Sequence, residues 1–405
     1  MRRIAIALFF VALCASGRVW ATACPTGYAY TATITVKHNA SLSADVTNWP
    51  ELFTCGNTVC KSTGNTGQVT DAGAKDVVFC TASTGGTVLT YELVPNSYSA
   101  TAGTAEWWIK LPIISKTTDQ TIYAMIGKSS PTDFSCNLAG SASCGTTLFP
   151  GGLLRYHWGY DNGSTSALST VDSIGNAPSP TNTGIIKLDN TTFPPVYEES
   201  GNNNTSTNHF DTGYAPNSAI IGNFSVEFWE SSNDTATSQG LMGNRSSGPL
   251  NGFQVESISG SPCGTPFAIG GAIFTGATNY KGTCTTTSYG GGVWHHVVMT
   301  HVGGSAGLLT IYVDGAAQST ATYESSGSPV NPGASTGDWY YFATGTSLTG
   351  WGHGSLDETG LYNAVLTADQ AKADYTFENN PTAQYTITAT ANSSASARHG
   401  SHLTF

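Results

Sequence analysis

Charge is what this sequence has least of. Only 10% of its 405 residues are Asp, Glu, Lys or Arg, and 15 basic against 26 acidic side chains leave a formal net charge of −11. That balance excludes the basic surface by which nucleic acid or an anionic membrane is held. After the N-terminal leader no segment approaches the roughly 18 apolar residues of a membrane-spanning helix. Paired CxxC spacing is missing, which removes a zinc ribbon. No strand–turn–helix nucleophile elbow, HExxH word or glycine-rich phosphate loop is present. Helical periodicity of useful length is also absent.

Turn formers and aromatics are what the chain has instead: 47 glycines, 18 tyrosines, 16 phenylalanines and 9 tryptophans. Disordered chains show few aromatics, so this composition suits an extracellular all-β protein. The N-terminus, MRRIAIALFFVALCASGRVWATAC, sets two arginines before an apolar run and ends on Ala21-Thr22-Ala23, the pattern of a secretory signal peptide over 1–23. Removing it would leave 12 basic against 26 acidic side chains, a net charge of −14. Cys14 leaves with it, and the remaining cysteines are even in number, as a disulfide framework in an exported chain requires. Cys136–Cys144 and Cys263–Cys284 are expected as local pairs. Cys24, Cys55, Cys60 and Cys80 allow three connectivities, of which Cys24–Cys80 with Cys55–Cys60 is preferred.

Residues 24–128 read as a β-sandwich. Tyr30–Lys37 (YTATITVK) alternates apolar and polar residues, and DVVFCT, EWWIKL and TIYAMI follow between Gly-, Ser- and Pro-rich breaks. The words YAYTATITVKH, NWPELF, DAGAKDVVFCTASTGGTVLTYEL and AEWWIKLPIISKTTDQTIYAMIGKSS, in that order, resemble the domain-of-unknown-function family 2341 of exported bacterial proteins. Within them Asp76 is expected to cap a turn, Glu92 to pair at an edge, and Trp107 and Trp108 to divide between core and surface. Residues 129–152 read as a Gly/Ser-rich connector, 153–380 as a second β-sandwich and 381–405 as a polar tail with one potential strand, QYTITATA.

In the second unit, Phe224–Trp229 (FSVEFW) places Phe224, Val226 and Phe228 on one face and Ser225, Glu227 and Trp229 on the other. Val293–Val302 (VWHHVVMTHV) is apolar on both faces, as a central strand is. LLTIYV runs into Asp314-Gly315, a two-residue hairpin turn. SVEFW, GLMGNR, GGVWHHVVMTHV, LLTIYVDG and GSLDETGLYNAVLTADQ resemble, in order, the laminin G-like, concanavalin A-like jelly rolls. His295 and His296 point to opposite faces of their strand, and His301 lies about 20 Å from His295, so the trio cannot share a zinc ion.

The resemblance implies a secreted or cell-surface binding protein, with a glycan or a surface or matrix protein as partner. The runner-up is a structural spacer. Glycosidases of the same fold carry an ExDxxE carboxylate set, which is absent here, so no enzymatic activity is expected. Trp229, with Glu227 beside it, is the candidate ligand site: it either stacks on a sugar ring or packs under a covering loop. Some members of the superfamily hold a structural calcium on an aspartate of the last strand. Asp357 matches it, with Asp161 as second ligand; the alternative is a strand-end hydrogen bond acceptor.

Overall fold

The computed structural model describes residues 22–392 apart from 57, 95–96, 137–143, 158–170, 178, 184–185, 188–198, 201–208, 233–238, 247–249, 259–262, 265, 277, 305–308, 326–328 and 342–353. The chain is all-β, built as two antiparallel sandwiches.

In the first sandwich a four-stranded sheet runs in the order Tyr385–Ala391, Tyr30–Val36, Gln120–Ile126, Val77–Cys80. It faces a three-stranded sheet of Val46–Gly56, Thr104–Ile114 and Tyr91–Leu93. The alternation in YTATITV does what it promised: Ala32, Ile34 and Val36 are buried. Phe79 anchors the core, edge-on to Phe53, Tyr91 and Trp107 at 5.0 to 5.6 Å between ring centres. Asp76 caps a turn as expected, accepting from the backbone N–H and hydroxyl of Thr70 at 2.6 Å each. The expected surface role for one of Trp107 and Trp108 does not hold. Both are buried, because the outer face of the three-stranded sheet is covered by the second sandwich.

The second sandwich stacks an eight-stranded sheet on a six-stranded one. Val226, Phe228, Val297 and Met299 of the six-stranded sheet meet Phe253, Val255, Ile269 and Ile273 of the eight-stranded sheet in one apolar core. His295–His301 is a central strand, paired with Phe224–Ser232 and Leu309–Val313. Strand Gly152–Tyr156 lies beside Gly354–Tyr362. Asp314 and Gly315 both take positive φ, +50° and +70°, in the hairpin turn.

Two elements join the sandwiches. The helix Ala368–Asn379 opens with a capping box: Thr367 Oγ1 accepts from the Gln370 N–H at 3.1 Å, and Gln370 Oε1 accepts from the Thr367 N–H at 2.8 Å. Its first-turn Asp369 accepts from the backbone N–H groups of Ser43 (2.7 Å) and Ala44 (3.1 Å) in the first sandwich. The strand Tyr385–Ala391 then returns to pair along the whole of Tyr30–Val36. Part of the segment read as a polar tail is therefore a strand of the first sheet. QYTITATA alternates as a strand should, but its partner lies over 350 residues upstream and leaves no local trace. One apolar cluster runs from Phe53 and Trp107 through Val298 and Tyr362 to Phe377 and Tyr385, across both sandwiches.

All four expected disulfides are present: Cys24–Cys80, Cys55–Cys60, Cys136–Cys144 and Cys263–Cys284. No helix among the described residues is long and apolar enough to cross a membrane.

Candidate functional site

Glu227 and Trp229 stand on the outer face of the six-stranded sheet, as the alternation in FSVEFW requires. That face is not open. The three-stranded sheet and the Ala368–Asn379 helix cover it, so Glu227 and Trp229 are each 1% exposed. Trp229 Nε1 donates to Glu378 on the helix, and its ring lies 6.0 Å from that of Tyr375. Of the two readings of this tryptophan, the packed one holds, with a helix rather than a loop as its cover. It offers no face for a sugar.

Around Glu227 lies a sealed polar joint. Arg155 is its hub, donating to Glu227 Oε2 at 2.8 Å, to Glu358 Oε2 at 3.1 Å and to Glu378 Oε1 at 3.5 Å. Its guanidinium sits 4.4 Å from the Trp108 ring centre in the first sandwich. The Tyr362 hydroxyl donates to Glu227 Oε2 (2.9 Å), and His296 Nε2 lies 3.2 Å from Glu227 Oε1. His157 bridges the sandwiches, with Nε2 2.8 Å from Glu92 Oε1 and Nδ1 against Glu358 Oε2. Glu92 thus pairs from the edge strand Tyr91–Leu93, as expected, but is buried there. Trp49 Nε1 donates to Asp374 on the helix.

Burial dominates the acid–base properties. It would raise the carboxyl pKa of Glu227, but Arg155 and then His296 hold that group down at about 2. Burial wins at Glu358, pushed up to about 7 against the opposing Arg155, and at Glu378, pushed up to about 8 with the help of Glu227. Burial also lowers His157, partly offset by Glu92. A neutral imidazole has one N–H, so one of the two His157 contacts must use a carboxyl proton; Glu358 is the group placed to supply it.

Glu227, His296 and Glu378 bring three ligand atoms within 4.8 Å of one another. They do not fit a metal ion. Arg155 and Trp229 already occupy the carboxylate lone pairs, and a guanidinium beside the site repels a cation. Glu92 also lies near Cys136 and Cys144, but their sulfurs are joined to each other and carry no thiolate. Asp357 is buried, and its Oδ1 accepts the Glu358 N–H at 2.7 Å. Among the described residues it joins no three-ligand cluster, and Asp161 lies outside the described residues. His295 meets Asp314 at 2.9 Å on the face away from His296, consistent with structural histidines.

The opposite, outer face of the eight-stranded sheet has a different character. Phe253 and Val255 point into the core, so Gln254 and Glu256 point out. Arg245 Nη1 donates to Gln254 Oε1 at 3.2 Å, and Gln254 Nε2 donates to Glu256 Oε1 at 2.8 Å. Beside this row run three rings, Phe274, Tyr280 and Tyr323, with centres 5.7 and 6.3 Å apart. Tyr323 lies across Gly282, where a Cβ would come within 2.1 Å of its ring. Arg245 covers the Phe274 ring at 4.4 Å. Arg245, Glu256, Tyr280 and Tyr323 all keep partial exposure. Burial pushes Glu256 up to about 7 against the pull of Arg245. The sequence reading overlooked this face, although FQVESI carries its alternation plainly.

A family model for the concanavalin A-like lectin/glucanases superfamily matches residues 202–372. Domain 4 of an extracellular arabinanase from Geobacillus stearothermophilus, solved with arabinotriose, is similar at 18% identity, over 54% of this chain and 96% of that one, with a TM-score of 0.36. A heptameric SAP-like pentraxin from Limulus polyphemus is similar at 14% identity, over 38% and 69%, with a TM-score of 0.30. The binding domain of botulinum neurotoxin serotype G is similar at 13% identity, over 56% and 51%, with a TM-score of 0.37, so the match spans about half of that domain. No curated protein matches the chain. The second sandwich is a concanavalin A-like jelly roll.

Proposed function

We propose that this is an exported, non-catalytic carbohydrate-binding protein whose ligand lies on the outer face of the eight-stranded sheet. One observation carries the reading: a hydrogen-bonded row, Arg245–Gln254–Glu256, runs beside a strip of rings, Phe274–Tyr280–Tyr323. A sugar has an apolar C–H face that stacks on aromatic rings and hydroxyls that exchange hydrogen bonds with amide, guanidinium and carboxyl groups. The carboxyls of Glu92, Glu227, Glu358, Asp374 and Glu378 are sealed in the joint, out of reach of a glycosidic bond, and this supports a binding role over hydrolysis. Four disulfides support export. The signal peptide over 1–23 and the likeness of residues 24–128 to family 2341 belong to the same reading. A glycan array and titration of hits against wild type, Gln254→Ala and Tyr323→Ala test it. A hit weakened by both variants is expected; a hit that neither variant changes would place the ligand elsewhere. The runner-up, a rigid spacer, is favoured by the shared helix and returning strand. It predicts no glycan hit and an unbending two-lobed particle in small-angle scattering.

A further inference from the structure

The joint holds six carboxyl groups, Glu51, Glu92, Glu227, Glu358, Asp374 and Glu378, none more than 7% exposed. One permanent cation, Arg155, faces them. It reaches Glu227, Glu358 and Glu378, so the cation is already shared three ways. Glu51, inside the first sandwich, has neither oxygen hydrogen-bonded, and Asp374 on the helix has Oδ2 unpartnered. An ionised carboxylate buried without partners costs several kcal/mol even after relaxation. A neutral carboxylic acid in the same place costs far less. The groups packed against these acids offer little further neutralisation. From the three-stranded sheet come Trp49, Trp108 and Glu92; from the second sandwich come His157, His296 and Tyr362; from the helix itself comes Tyr375. Lys110 stands at the rim, its Nζ donating to the Thr147 carbonyl at 2.8 Å, and does not reach them.

We propose that the joint is a proton-held latch: Asp374 and Glu378 clamp the two sandwiches onto the Ala368–Asn379 helix, with Glu51 buried beside them, all three in their neutral form, and alkaline solution loosens the clamp by taking their protons. The position of these acids makes the effect one of docking rather than of either core alone. Glu378 meets Trp229 and Arg155 of the second sandwich, and Asp374 meets Trp49 of the first, one helical turn apart on the same helix face.

The direction follows from linkage. A carboxyl with a raised pKa in the docked state binds its proton more tightly there than when released. Its stabilisation is therefore complete below the ordinary carboxyl range and lost as pH rises through the raised value, about 8 for Glu378. Burial, then Glu378, raises Glu51, and burial, then Glu227, raises Asp374, in the same sense. Two groups act oppositely, Glu227 far below this range and His157 only at its acid edge. Glu227 gives way only as pH falls towards about 2, and His157, lowered by burial, disfavours docking only on the acid side of its ordinary value. Between about pH 6 and pH 9 the raised carboxyls dominate, and tyrosines stay un-ionised there.

The test uses the full exported chain at about pH 6 and about pH 9. Wild type is expected to lose about 5 °C of melting temperature at the higher pH and to lose at least tenfold of the amide protection of the Ala368–Asn379 helix, taken relative to the intrinsic exchange rate at each pH. Glu378→Gln, which cannot ionise, is expected to hold its pH 6 behaviour and to exceed wild type at pH 9, a gain that damage to packing cannot mimic. Glu51→Gln, which has no hydrogen bond to lose, repeats the comparison. A wild type indifferent to this pH change, or two variants that weaken in parallel with it, overturns the latch. Failure of both amide variants to fold at pH 6 does so as well, since neutral isosteres belong in a neutral joint.

Discussion

The two outer faces of the jelly roll start from the same rule and end in opposite states. On Phe224–Ser232 and on Asn251–Ile258 alternate side chains leave the core, and both strands send polar groups outward. The six-stranded sheet's outward groups are sealed under a second sandwich and a helix, where Arg155, Glu227 and His296 become structural. On the eight-stranded sheet the outward Arg245 and Glu256 stay within reach of solvent, with Gln254 buried between them. Polarity on a sheet face therefore does not identify a binding site; the neighbour that covers it, or its absence, decides between cement and recognition.

Variants on the two faces should separate sharply. The largest effect is expected on the sealed side. Arg155→Met removes the one permanent cation that the described residues place in the joint and leaves Glu227 buried without its main partner. It should cost about 3–5 kcal/mol, read as a lower midpoint in urea unfolding. A loss under 1 kcal/mol would mean the joint is wet or open in solution. Next comes the Cys263–Cys284 bridge beneath the open face. Replacing both with Ser releases a loop of 21 residues' separation and should cost about 3 kcal/mol on the chain-entropy model. The cost should appear in thermal unfolding while glycan hits persist in the folded protein. Tyr323→Ala should reverse that pattern, weakening a glycan hit about tenfold, or roughly 1.4 kcal/mol, with little change in melting temperature. If it instead unfolds the sheet, the ring over Gly282 is packing and the open face loses its main anchor. The smallest effect is expected at the helix start. Thr367→Ala deletes half of the capping box and should cost about 1 kcal/mol by denaturant titration.

What could be read beforehand was whatever local spacing encodes. The strands YTATITV and FSVEFW, the Asp314-Gly315 turn and the local disulfides Cys136–Cys144 and Cys263–Cys284 needed only residues nearby in sequence. The burial of Trp229 did not follow, because its cover comes from residues 368–379 and from the first sandwich, and no period in FSVEFW refers to them. A signal did exist for the joint. In a chain so poor in charge, Arg155 within LLRYHW and Glu227 within FSVEFW are ionisable groups set among apolar ones, and Asp374 and Glu378 fall four apart beside Phe377. Each marks a buried ion that must find a partner. Which partner it finds depends on tertiary contacts between residues as distant as Glu92 and His157.

The return of Tyr385–Ala391 to Tyr30–Val36 has a kinetic consequence. The first strand cannot gain this neighbour until the chain has been made as far as Ala391, since Tyr30 pairs with Ala391. A chain that emerges from its N-terminus would hold one ladder of the first sheet open while the jelly roll folds. Contacts this distant in sequence slow folding, and an unpaired edge recruits other edges. The last strand is thus the step that closes the molecule. A chain ending before Tyr385 should aggregate through the Tyr30–Val36 edge, even though every residue of the jelly-roll core is in place.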